Sequence, residues 1–500
     1  MFPHTWRNHW SLDEDPFVQE DADKDPVLRR VPAEAVHSSF DRLYGSVEAP
    51  GPGVVFGEKG SGKSSLRLAM KRRLDEESAF VVEYIEFDSF LSEARKADRL
   101  PPNGPKTPRR IVERFGLADH VDAMLSLGTT KLVEEILAGQ RPEAARLAHK
   151  QKATLVALAS LYYRSDGRSG DEVDRGLRRA LRFRPFRPLL RRAGRLLGTL
   201  LGAGLLAVPL EVTGAAELLG IESAGDAWTW AGGGLLALVW GQALVARLVT
   251  RRRADVATKA VRVVPRDPDP LAGLLRRVPA SIRRDLALPD GAAPGSRLVL
   301  LQRFITLLQE LGAESFYVLM DRIDEATILS GRAELMRPFI EPLLEHRLLQ
   351  FEGLALKLFL PIELSRLYLG ASTEELKSMR LDKANSIPEL RWSGQELAEI
   401  ATQRLRAVRP EGTSLELPGA RLADFFEDEV GEREIREALG ELGTPRLAFG
   451  FLGALFADHA RELDDDLAEE SPEWRIPRRR FEIMRASWLD RARGLRRALN

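Results

Sequence analysis

The chain has 500 residues, with 74 Lys and Arg balanced by 74 Asp and Glu, and no cysteine. That length leaves room for more than one domain and a large core. The even charge argues against a dedicated nucleic-acid binder, and the lack of thiols excludes disulfides, zinc–thiolate sites and thiol catalysis. The seven His residues show no HExxH-like spacing, so no protein-ligated metal site of that kind is expected. A hydrophobic content of 44% fits neither a disordered chain nor a polytopic membrane protein.

Residues 1–30 read as an irregular acidic segment (DEDPF, EDADKDP) with no signal-peptide core. Val36, Phe40, Leu43 and Tyr44 predict a short helix within 33–47. After a Gly/Pro break, the apolar strand Val54-Val55-Phe56 runs directly into Gly57–Ser64 (GEKGSGKS). A helix opens at Lys63, carrying Leu66, Met70 and Leu74, and Phe80–Phe87 is the next strand. This β-loop-α-β order opens a parallel α/β domain.

The loop matches GxxxxGK[ST] in full. Gly57, Gly60 and Gly62 let the backbone wrap so that its N–H groups, from Glu58 through Ser61 to Ser65, face anionic oxygens. The following helix points its N-terminal dipole at the same place. In this motif Lys63 reaches the β and γ phosphates of ATP or GTP, and the Ser64 hydroxyl is a ligand of Mg2+. A chance glycine-rich turn is the plain alternative. The strand before and the helix after supply the context that the motif requires.

Residues 91–175 follow a helical pattern, and two apolar runs come next. Residues 227–246 are 20 residues without a charge, and 196–210 are 15, extending to 196–216 if Glu211 is included. About 20 residues cross a hydrocarbon core of ~30 Å. Arginines crowd the outer flanks, from Arg175 to Arg195 and from Arg247 to Arg262, whereas the connecting loop 211–226 has only acidic charges. That asymmetry predicts a two-helix membrane hairpin with both ends in the cytoplasm, and Trp228 and Trp230 fall at its outer edge. A buried hairpin in a soluble protein, with the arginines as a solvated face, is the competing reading.

Residues 263–295 are Pro-rich and read as a linker with one short helix, followed by an amphipathic helix over 298–311. Ser315–Met320 is an apolar strand that ends in Asp321 and leads into DRIDE. Asp321 suits the outer shell of Mg2+, and Glu325, or else Asp324, suits the base that activates water. An acidic helix start is the plain alternative, and the full P-loop upstream counts against it. Glu86 or Asp88, at the end of the Phe80–Phe87 strand, is the alternative acidic site. Further on come a helix over 332–349, a strand over 354–362, and helices over 395–407, 421–426, 432–439 and 446–463. The region 371–465 reads as a helical lid, and 466–500 as a basic amphipathic tail that could meet phosphates.

GEKGSGKS together with FYVLMDRIDE resembles the AAA+/STAND branch of P-loop NTPases, as Walker A and Walker B. More than 250 residues separate Lys63 from Asp321, and the apolar hairpin lies in between. In that respect the chain resembles the KAP-type NTPases. The resemblance implies a P-loop α/β fold in two parts, 31–90 and 296–370, around a helical insert over 91–295. It also implies an ATPase at the cytoplasmic face of the bacterial inner membrane, used as a switch in signalling or anti-phage defence, with a homo-oligomer as a possible form. By the same resemblance Arg446, in Gly443-Thr444-Pro445-Arg446, would be a sensor 2 arginine, a reading that competes with an ordinary arginine after a helix-starting Pro. The strand that should bear sensor 1 ends Leu360-Pro361-Ile362-Glu363, a departure from the usual Asn, Ser or Thr. Arg332, Arg337 and Arg366 are candidates for an arginine finger. A soluble ATPase acting on DNA or as a scaffold is the alternative function.

Overall fold

Apolar runs that lack polar alternation are the mark of strands covered on both faces, and they form a single parallel sheet. Its strands are β1 (Gly53–Gly57), β2 (Ala79–Tyr84), β3 (Ser315–Met320), β4 (Leu354–Pro361) and β5 (Asn385–Ile387), in the order β2-β3-β4-β1-β5. Every residue of β1, β3 and β4 is buried. Val55 pairs with Phe359, and Val318 lies between Val82 and Leu356. Parallel pairing brings the carboxyl ends of β1 and β3 to the same edge although β4 separates them. The computed structural model describes residues 4–18, 21–101, 104, 106–164, 170–183, 194–206, 224–344, 346–369, 385–410, 412–414, 417–465 and 473–499.

The chain forms two compact units, residues 1–88 with 313–500 and residues 89–312. The first holds the sheet. The N-terminal 30 residues, expected to be irregular, contain the helix His4–His9 and pack into this unit. Trp6 lies 5.3 Å from Phe456 and Trp10 4.6 Å from Phe425 between ring centres. The expected lid contains the helices Gly394–Ala407, Glu432–Leu442 and Pro445–Asp465. The expected basic amphipathic tail contains the helix Arg478–Leu499, whose Phe481 is buried against Phe426 and Phe451. Residues 370–384, where the lid was expected to begin, lie outside the described residues.

Local boundaries differ where turn chemistry outweighs the apolar pattern. β2 ends at Tyr84, because Phe87 already opens the helix Phe87–Ala97. The helix expected over 33–47 is reduced to a 3-10 turn at Ala33–Ala35 and the helix Phe40–Tyr44. The helix expected over 332–349 is broken into Ala333–Ile340, the 3-10 turn Glu341–Leu344 and the short helix His346–Leu349. Pro338, within it, has no N–H to donate and strains a regular helix.

The second unit is helical. Its longest helices are Leu117–Leu137, His149–Tyr162, Ala224–Ala260 and Gly295–Glu310. The last was expected to join the sheet domain, but it belongs here. Its buried Arg297 donates to Asp122 (3.2 Å) and to the Ala260 carbonyl (2.6 Å). The Pro-rich stretch carries two helices, Pro268–Arg277 and Ala280–Asp285, where one was expected.

The 227–246 run lies within Ala224–Ala260, and the first run is helical over Gly194–Leu206; its continuation through 207–216 lies outside the described residues. Among the described residues one helix, Thr229–Ala260, is long and apolar enough to cross a membrane. The two apolar helices meet at glycines. A Cβ on Gly202 would sit 2.7 Å from Leu236, and one on Gly232 would sit 2.8 Å from the Gly202 carbonyl oxygen. Their outer surface is bare, with Leu197, Leu200, Leu244 and Leu248 exposed and Trp230 82% exposed.

Candidate functional site

The site lies at the carboxyl edge of β1 and β3, where open parallel sheets place their ligands. β1 feeds the loop 57–62, and the helix Lys63–Glu76 follows. Gly60 (φ 85°) and Gly62 (φ 91°) take the left-handed conformation that residues with a Cβ rarely adopt. Both are also packed closely. A Cβ on Gly60 would lie 2.8 Å from Cβ of Arg446, and one on Gly62 would lie 3.1 Å from the Trp392 ring. The Trp392 indole N–H donates to the Ser61 carbonyl at 2.7 Å, and Arg446 N–H donates to the Gly60 carbonyl at 3.3 Å. The loop is thus held from outside by two residues far down the chain.

Lys63 Nζ donates to the carbonyls of Gly57 (2.6 Å) and Glu58 (3.0 Å). Burial pushes this ammonium below its ordinary range, and Arg446 pushes the same way, against the pull of Asp321, Asp324 and Glu363. The Ser64 hydroxyl donates to Asp321 Oδ2 at 2.7 Å. These two residues are therefore in direct contact despite their separation in sequence. Asp321 is only 2% exposed. Its Oδ1 accepts from the Arg322 backbone N–H (2.9 Å), and its Oδ2 accepts a second bond from Arg67 Nε (3.1 Å).

These groups surround an open cavity of about 620 Å³. Of the residues expected from sequence, Glu58, Lys59, Gly60, Gly62, Lys63, Ser64, Ser65, Asp321, Asp324, Glu325 and Arg446 line it. Gly57 and Ser61 support it through their carbonyls. Glu325 is well exposed, and its carboxylate lies 3.8 Å from Arg322. Asp88, the alternative acid, accepts from the backbone N–H (2.9 Å) and hydroxyl (2.8 Å) of Thr327, so it anchors the segment after Glu325 from outside the cavity. Neither Glu86 nor Arg332, Arg337 or Arg366 is among the lining residues. Arg337 pairs with Glu341 at 2.8 Å.

Several residues here had not been expected. Arg67 is fully buried and reaches Asp23 (2.6 Å) and Glu83 as well as Asp321. A legible signal existed, since Arg67 lies four residues after Lys63 and three after Ser64, on the same helical face. Asp21 and Asp23 pair with Arg322, which itself has a left-handed backbone (φ 64°). Phe17 stacks on Phe449 (5.6 Å, 23°) and forms with it an apolar wall, and Trp488 lines the same cavity. No local pattern announces the N-terminal contributions, whereas Trp488 lies on the apolar face of the amphipathic tail read from the sequence.

Comparison with protein-family profiles, curated proteins and solved structures finds no match to this chain.

Proposed function

We propose that this chain is a membrane-anchored P-loop ATPase that works as a nucleotide-dependent switch. The observation that carries the reading is the 2.7 Å contact between Ser64 and Asp321 at the foot of a glycine-rich loop. A hydroxyl and a carboxylate at one point, beside a lysine and a helix N-terminus, suit a magnesium–triphosphate. Ser64 and Asp321 would hold the ion, the first directly and the second through its outer shell. The bound Mg2+ would neutralise charge on the phosphates.

The chain's own groups would do the rest. Lys63 is a desolvated cation that an anionic ligand would match. Glu325, or Asp324 beside it, would orient and deprotonate the attacking water. Arg446, at the start of the helix Pro445–Asp465, would join the terminal phosphate to the lid. The wall of Phe17 and Phe449 suits a flat base. The position of β4 between β1 and β3 supports the AAA+/STAND resemblance, because that is the strand assigned to sensor 1. Glu363, which follows its end, acts electrostatically on Lys63. The bare apolar surface of the two insert helices supports the membrane anchor.

Nucleotide binding by a fluorescent ATP analogue, with turnover measured in Mg2+, tests the proposal. Lys63→Ala should abolish binding. Glu325→Gln should bind at close to normal affinity and lose turnover by at least roughly 100-fold. Undiminished turnover in Glu325→Gln would assign the base to Asp324 or another group. No binding by the unaltered chain would end the ATPase reading.

A further inference from the structure

A second cavity, of about 560 Å³, lies within the helical unit near the inner end of the apolar helix. Val249, Arg252, Arg253 and Val256 line one side of it. Their i, i+3, i+4, i+7 spacing places them on one face of the helix Ala224–Ala260. Thr250, Ala254 and Ala257 are buried and so hold a different face against the unit. The other side is built by Leu275, by Arg283 and Arg284 of the helix Ala280–Asp285, and by Leu286. Four guanidinium groups therefore border a largely apolar hollow, with Asp290 as its one carboxylate. Nearby acids are committed elsewhere. Asp269 pairs with Arg251 (3.8 Å) and Asp285 with Lys150 (2.9 Å). Among the described residues, Arg252 and Arg253 form no ion pair.

The placement along the helix indicates the ligand. Exposed apolar side chains, Trp240, Leu244, Val245, Leu248 and Val249, run down the helix, and the arginines begin among the last of them at Arg247 and cluster at Arg251–Arg253. A helix embedded to that depth would carry this cavity to headgroup level. We propose that the cavity binds an anionic glycerophospholipid, with the phosphodiester among Arg252, Arg253 and Arg284 and the first methylenes over the valines and leucines. This rests on the membrane anchor proposed above. Apolar lining distinguishes the occupant from free phosphate, which has nothing to place there. Basic pockets at the cytoplasmic end of membrane helices have this chemistry in general.

Native mass spectrometry of the full-length protein, from micelles doped with equal amounts of phosphatidylglycerol and phosphatidylcholine, provides the test. The unaltered chain should retain the anionic lipid in preference. Arg252→Gln combined with Arg253→Gln should lower that preference roughly tenfold or more. Arg433→Gln, an exposed arginine in the other unit, should leave it unchanged. Equal retention of both lipids, or an undiminished preference in the double variant, overturns the proposal. Full competition by soluble glycerol phosphate overturns it too, by making the site a phosphate site. Carbonate extraction of the same preparations separates the two readings. A carbonate-resistant protein without lipid preference defeats the lipid site alone, whereas a carbonate-soluble protein defeats the anchor and the lipid site together.

Discussion

Lys357 sits in the middle of β4, where a charged residue is least expected. Its Nζ donates to the carbonyls of Leu43 (2.6 Å) and Tyr44 (3.2 Å), which close the helix Phe40–Tyr44. Burial lowers its pKa to about 7. Below that pH the folded and unfolded chains both carry the proton. Above it, up to the ordinary lysine value, only the unfolded chain does, so it binds more protons and stability rises with pH. The sheet-bearing unit should therefore gain stability between pH 7 and about 9, and Lys357→Met should flatten that gain. Thermal melting across the window checks this. The comparison stops at about pH 9 because burial raises Tyr44 and Tyr317, whose later ionisation in the unfolded chain acts in the opposite sense. Arg67 belongs to the same scale. Removing it would leave Asp321, Glu83 and Asp23 without their shared cation. Breaking a buried pair from one side costs about 3–5 kcal/mol. Arg67→Met should show that loss in denaturant unfolding before any effect on nucleotide can be read.

Among the elements, the helix Ala224–Ala260 has two regimes. From Thr229 to Ala246 it is apolar, a length of about 27 Å at 1.5 Å per residue, close to the ~30 Å of a hydrocarbon core. From Arg247 onward it is cationic outside and buried on one face. Just past its end Arg262 clamps it to the helical unit through Asp98 (2.8 and 2.9 Å), Asp119 (2.5 Å) and the Arg114 carbonyl (2.6 Å). Arg262→Ala should destabilise that unit by about 2 kcal/mol, the scale of a lost charge-assisted hydrogen bond with its partners left half-buried. Faster hydrogen exchange at the end of this helix and around Asp98 and Asp119 is the expected readout. No change there would mean that the helix is held by packing alone.

At the level of the whole molecule, the insert is compatible with an intact sheet because it leaves and returns between neighbouring strands. β2 and β3 pair along their full length from Ala79 beside Ser315 to Tyr84 beside Met320. The Glu314 N–H donates to the Ser78 carbonyl at 2.7 Å, extending that pairing to the residues just before the two strands begin. Closure entropy grows only with the logarithm of loop length, so a folded insert of this size costs the sheet little. Both chain ends also contribute to the site-bearing unit, through Phe17 and Trp488. Truncation after Pro477 should expose the surface covered by Phe481, destabilise that unit by about 3 kcal/mol or more, and weaken nucleotide binding. An unchanged melting temperature would contradict the packing role of the last helix.

The sequence by itself determined the parts of this protein whose information is local. GEKGSGKS declares its backbone needs through glycines at fixed spacing, and the run Ser315–Met320 declares a buried strand ending in a carboxylate. The apolar runs and their flanking arginines are equally local, because twenty uncharged residues between charged borders are visible without a partner. What only the tertiary structure decided is non-local. It brought Ser64 to 2.7 Å from Asp321 by interposing β4, set Trp392 and Arg446 against the loop, and made Arg67 the shared cation of three carboxylates. It also turned an irregular N-terminus and a basic tail into walls of one cavity. Side chains such as Trp6 and Phe17 have no periodic signature, and their burial depends on surfaces hundreds of residues away. Spacing along a chain specifies an element, but only the packing of elements brings such distant groups into contact.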